Sequence, residues 1–204
     1  ATDPTGRTAL IIAIEKGLIN MVIALAPLEH SIAFVGKWSS GAWTFDSPSP
    51  LLIATCMQHE EICKILMRQI ETPASSVCDK NGLTPLMVAA GMGNITLATL
   101  YYSTQKGMSD RSGNTGLIWA VKHSQSTSAT LLCDEAGRLN MDGDCALVFA
   151  LERRDIKSIL LLAKKESRLL TREFISSIQD AKILAMLPGI DTSISKSGLK
   201  ENVT

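Results

Sequence analysis

The sequence predicts an all-α solenoid of about five helix-turn-helix units with a degenerate C-terminal cap. Three observations predict it. A short pattern recurs along the 204 residues, framed by Leu10, Leu51, Leu86, Leu117 and Leu147 at spacings of 41, 35, 31 and 30 residues; self-similarity at such a period is the mark of stacked supersecondary units. Apolar residues make up 46% of the chain and aromatics only 4%, which suits helices rich in Leu, Ile, Ala and Met better than strands. Within each unit a Leu and an Ala three places on (Leu10 and Ala13, Leu86 and Ala89, Leu117 and Ala120) fall on one helix face.

Each element follows from its residues. In units 1, 3 and 4 an Asp and a Gly three places later (Asp3 and Gly6, Asp79 and Gly82, Asp110 and Gly113) predict a tight turn, the Gly taking the positive φ that other residues resist. Thr8, Ser49, Thr84 and Thr115 stand where a hydroxyl caps a helix N-terminus. Pro50 and Pro85 follow at the first helical position, where a missing N–H is harmless. Gly17 and Gly93 end first helices. Second helices follow around Met21 to Leu25, Ile62 to Leu66 and Ile159 to Leu162. The units lie near 3–28, 44–70, 79–104, 110–134 and 140–164.

The stretch from Asp79 to Leu100, with Gly82, Thr84-Pro85-Leu86, Ala89-Ala90 and Gly93, resembles an ankyrin repeat, and five such units span most of the chain. The pattern is also similar to divergent ankyrin arrays of protists, some fused to kinases related to the NIMA family. There are departures. The His usual after the first Leu is replaced by Ile11, Leu52, Met87, Ile118 and Val148, so apolar packing is expected to substitute for its hydrogen bonds. Gly116 stands for Pro, Cys145 for Thr, and Arg154 for a helix-ending Gly.

Two segments fall outside the frame. The insertion 28–44 holds Phe34, Trp38 and Trp43 and leads into Phe45; these aromatics either fold back over the first two units or form a finger that binds a partner. After Lys164, Thr171 and Asp180 are placed to cap two short helices, ended by Pro188-Gly189, so 165–189 reads as a degenerate capping unit and 190–204 as a loose tail.

Catalytic patterns fail. His59-Glu60-Glu61-Ile62-Cys63 has Cys where a zincin needs its second His. Gly91 and Gly93 lack the third glycine and the preceding strand of a dinucleotide loop. No P-loop, G-x-S-x-G or kinase motif is present. Cys56, Cys63, Cys78, Cys133 and Cys145 form no C-x-x-C pair, and His30, His59 and His123 are scattered, so free thiols in a reducing compartment are expected rather than a metal site. Twenty Lys+Arg against twenty Asp+Glu give zero net charge, which argues against nucleic acid as the partner. High apolar content with no net charge excludes disorder of the whole chain. No apolar run reaches the length of a membrane span, and no signal peptide is visible. The chain opens at Ala1 without a Met, as an excised or processed polypeptide would.

The resemblance implies recognition of a partner protein on the concave face made by turn tips and first helices. Imposing that frame gives Phe45, Met57, Leu83 and Met92 as an apolar middle, with Lys80, Arg111, Asn114, Lys122 and His123 beside it and Trp38 in the insertion. Methionines suit adaptable surfaces, and an exposed apolar strip marks a contact. The expectation is a cytoplasmic, monomeric, non-catalytic scaffold for protein–protein interaction, without cofactor, metal, nucleic acid or membrane. The alternatives are the regulatory segment of a larger NIMA-related kinase, or self-association through the aromatic insertion.

Overall fold

The computed structural model describes residues 2–70 and 77–189; the tail expected over 190–204 lies outside the described residues. Five helix pairs follow in order: α1 (Ala9–Glu15) with α2 (Ile19–Glu29), α3 (Pro50–Cys56) with α4 (Glu60–Met67), α5 (Pro85–Met92) with α6 (Ile95–Gln105), α7 (Gly116–Lys122) with α8 (Ser126–Leu131), and α9 (Ala146–Glu152) with α10 (Ile156–Glu166). Two short helices follow, α11 (Arg172–Ser177) and α12 (Ala181–Leu184). Each first helix packs on the first helix of the next unit and each second helix on the next second helix, so the molecule is two layers of helices. The insertion contributes the strands β1 (Lys37–Ser40) and β2 (Trp43–Asp46), an antiparallel hairpin with Trp38 opposite Phe45.

The framing Leu and Ala are the core. Leu10, Leu51, Leu86, Leu117 and Leu147 are no more than 2% exposed, as are the five alanines three places on. Burying a Leu side chain is worth about 2 kcal/mol, and the small Ala lets adjacent first helices approach closely.

The first helices of units 1, 3 and 4 have their N-terminal N–H groups satisfied twice over, and those of units 2 and 5 once. The hydroxyls of Thr8, Ser49, Thr84 and Thr115 accept from the N–H of Ile11, Leu52, Met87 and Ile118. One position earlier, the N–H groups of Leu10, Leu86, Leu117 and Leu147 donate to Glu29 Oε2 (2.8 Å), Gln105 Oε1 (2.9 Å), Glu135 Oε2 (2.9 Å) and Glu166 Oε2 (2.7 Å). The other carboxylate oxygens of Glu135 and Glu166 accept from Gly107 N and Gly137 N, both at 2.7 Å. This corrects the expectation that apolar packing alone replaces the missing His. In units 1, 3, 4 and 5 a polar side chain at the end of the second helix, or just beyond it for Glu135, reaches back 18 or 19 residues to the start of its own first helix, where the aligned peptide dipoles favour a negative group. In unit 2 the equivalent position is Ile70. In unit 5 the weak start is visible, because Cys145 makes no side-chain cap.

The turns repeat as faithfully. Asp3, Asp79, Asp110 and Asn140 each accept with Oδ1 from the N–H groups two and four residues on. Neighbouring turns are joined by Arg111 N to Asn81 O (2.8 Å) and Met141 N to Ser112 O (2.9 Å). A Cβ on Gly113 would lie 2.9 Å from Met141 N, so that junction requires glycine. The left-handed residue that closes each first helix is Gly17 or Gly93 in units 1 and 3, but Gln58, Ser124 and Arg154 in units 2, 4 and 5, at φ of 57°, 56° and 53°.

Candidate functional site

The hairpin lies against the first-helix layer, and its aromatics run along that face as a ladder. Trp38 stacks on Phe45 at 5.9 Å, and Phe45 on Trp43 at 6.1 Å. Trp43 then meets two residues of unit 4, the Trp119 ring at 5.6 Å and the His123 ring at 5.2 Å. Trp119 and His123 stack on each other at 5.6 Å. Polar groups fix both ends: Trp38 Nε1 donates to Glu15 Oε1 at 2.9 Å, and Trp119 Nε1 donates to Asp110 Oδ2 at 2.9 Å. Gly91 makes room for the hairpin tip, since a Cβ there would lie 3.0 Å from Trp43 Cη2.

This arrangement corrects the apolar half of the expected contact surface. Phe45 is fully buried and Trp38 is 8% exposed, because the hairpin folds inward onto the first helices, and Leu83 is 7% exposed. Asn114 is also buried; its amide donates to Asp110, and its Oδ1 accepts from Asn140 Nδ2 at 3.3 Å, which makes it a strut between turns. Met57 and Met92 are half-buried and pack on the core.

The cationic half is accessible. Lys80 and Arg111 are exposed at successive turn tips, and Lys80 Nζ lies 3.6 Å from Asp46 Oδ1. Lys122 sets its Nζ 4.5 Å from the centre of the Phe149 ring, a cation–π contact. His123 is exposed yet braced on two indoles. Its pKa lies below the ordinary histidine value, first through partial burial and then through the positive charges of Arg153 and Lys122. Among the described residues, Arg111, Lys122 and Arg153 have no carboxylate within ion-pair distance.

Sequence reasoning missed Trp119 and Phe149 as parts of this face, since each sits between core residues on a first helix. The signal was present: both occupy the position one before the small Ala, where units 1 to 3 carry Ile12, Ile53 and Val88.

Burial pushes the Cys56 thiol up to about 11 and the Cys145 thiol up to about 12, and Cys63 also upward, the reverse of an activated nucleophile. A cleft of about 310 Å³ between Gly17, Gln58 and Glu61 has His59 on its wall, with Nε2 unpartnered. Among the described residues no three His, Cys, Asp or Glu side chains are grouped to hold a metal, and no helix is long and apolar enough to cross a membrane.

No protein-family model matches the chain, and neither does any curated protein. Among solved structures it is similar to the crystal structure of EF0377, an ankyrin repeat protein, with a TM-score of 0.65 and 22% identity over 80% of this chain and 83% of that one. The fold is an ankyrin-repeat solenoid. In an ankyrin solenoid the first helices and turn tips form the concave face, so the hairpin fills the N-terminal part of that face, and the cations with Trp119 and Phe149 line the rest.

Proposed function

We propose that the chain is a non-catalytic protein-interaction module that binds an acidic segment of a partner protein on the open part of its concave face, over units 3 to 5. The observation that carries this reading is the set of cations there: among the described residues Arg111, Lys122 and Arg153 have no carboxylate within ion-pair distance, and His123 is held toward its neutral form by partial burial and then by Arg153 and Lys122. Carboxylates of a partner would satisfy those charges, while Trp119 and Phe149 offer half-buried rings beside them. Charge-assisted contacts of this kind set register and on-rate, and the rings supply anchoring area. The neutral net charge and the want of any long basic stripe favour a protein over a nucleic acid.

The test is a selection of random twelve-residue displayed peptides on the immobilised chain. Enrichment of Asp and Glu, with retention lost on the Arg111→Glu/Lys122→Glu variant, is the expected result. Peptides without acidic bias, or equal retention by the variant, would contradict the reading.

A further inference from the structure

The internal units hide the same three positions on their N-terminal side. The residue before the framing Leu is buried in units 2 to 5 (Pro50, Pro85, Gly116, Ala146). The residue eleven places after that Leu is buried in all four (Ile62 2%, Leu97 0%, Ser128 0%, Ser158 0%), and so is the one fifteen places after it (Leu66 1%, Tyr101 0%, Leu132 0%, Leu162 0%). The cover is always the preceding pair: α2 on α4, α4 on α6, α6 on α8 and α8 on α10.

Unit 1 presents those positions uncovered. Ala9 is exposed, Met21 is 49% exposed and Leu25 is only half-buried. Leu18 and Ile19 extend the patch at 41% and 44%, and no charged residue occurs between Lys16 and Glu29. A solenoid end needs a polar outer face. The opposite end has one, with Thr171, Arg172 and Glu173 of the α11 turn exposed and Ile183, Leu184 and Leu187 buried beneath.

We propose that the N-terminal side of unit 1 is one half of a repeat junction, covered in the natural protein by a further helix pair of the same kind on the same polypeptide. The four junctions inside the chain say what fits it. Each joins the C-terminal side of one pair to the N-terminal side of the next, so the complement is a C-terminal side. A second copy is the wrong occupant, because its own C-terminal side is taken up by α11 and α12.

The experiment compares brief peroxide oxidation of methionines, read by peptide mass spectrometry, in the 204-residue chain and in the natural polypeptide purified from its own cells. Met141 at 78% exposure and Met87 at 1% serve as open and closed references. Met21 should oxidise nearly as fast as Met141 in the 204-residue chain and become at least tenfold slower in the natural polypeptide, with Met141 unchanged. Equal oxidation of Met21 in both would overturn the proposal. So would a natural polypeptide with no helix pair ahead of Asp3, or a 204-residue chain that light scattering shows to dimerise with Met21 protected. As a second readout, Met21→Lys should leave the unfolding midpoint of the 204-residue chain unchanged and lower that of the natural polypeptide by several degrees; equal shifts would also overturn it.

Discussion

The two parts of the concave face differ in what has already been spent on them. Over units 1 to 3 the face is filled from within the chain: Trp38, Phe45 and Trp43 stack in series and end against Trp119 and His123. Beyond that point the face carries cations with no carboxylate partner among the described residues. Aromatic residues are favoured anchors of protein interfaces, yet here most of them are internal packing, and on the proposed reading the charged residues are what remains for recognition. The open surface of such a face is thus defined as much by what the chain folds onto it as by the repeat frame.

Substitutions on the two sides should separate sharply. Phe45→Ala removes a fully buried ring and should destabilise by about 3–5 kcal/mol in denaturant unfolding. Arg111→Glu, on the open side, should stay within about 0.5 kcal/mol of the parent. A similar loss from both would erase the distinction.

A smaller effect is expected from the clamps that hold the first helices beneath the face. Glu166→Ala leaves the N–H groups of Leu147 and Gly137 without their acceptor and should cost about 2–3 kcal/mol, with faster amide exchange at both. In the other direction, Ser124→Gly relieves a left-handed residue at φ 56° and should stabilise by about 1 kcal/mol, measured by the same unfolding. Little change there would mean that the backbone of unit 4 holds that conformation at little strain.

These clamps show what was legible in the sequence. The Asp, Gly, Thr, Leu and Ala of each unit are local and repeat in register, so turns, caps and core could be read directly. Glu29, Gln105, Glu135 and Glu166 keep a nearly constant distance from the framing Leu, but each taken alone resembles an ordinary surface residue, and their burial follows only from the return of the second helix. The path of the insertion was still less visible. Trp43 rests on Gly91, Trp119 and His123, contacts made across one or two intervening units, which no local pattern encodes. Leu83 and Asn114 were mistaken for groove residues because the repeat frame locates a position without showing what lies over it.

The smallest effect concerns His123, which joins the two parts. Its pKa, followed by ring-proton NMR, should lie below the ordinary value near 6.5 and rise toward it in Arg153→Ala. Since the folded chain favours the neutral ring, this residue's contribution to stability is present above the ordinary histidine pKa and is lost as pH falls through the lowered one. An acidic partner reverses that bias, so its affinity should increase as pH falls through the pKa of His123 in the complex.

The most direct measurement of the central claim is a titration of the nitrogen-15-labelled chain with the best selected acidic peptide, followed by amide and side-chain shifts. Shifts confined to Arg111, Trp119, Lys122, His123, Phe149 and Arg153, with the Trp38 and Trp43 indole signals unmoved, are the predicted result. Displacement of the hairpin, or shifts centred on the outer helices α4 and α6, would contradict the account.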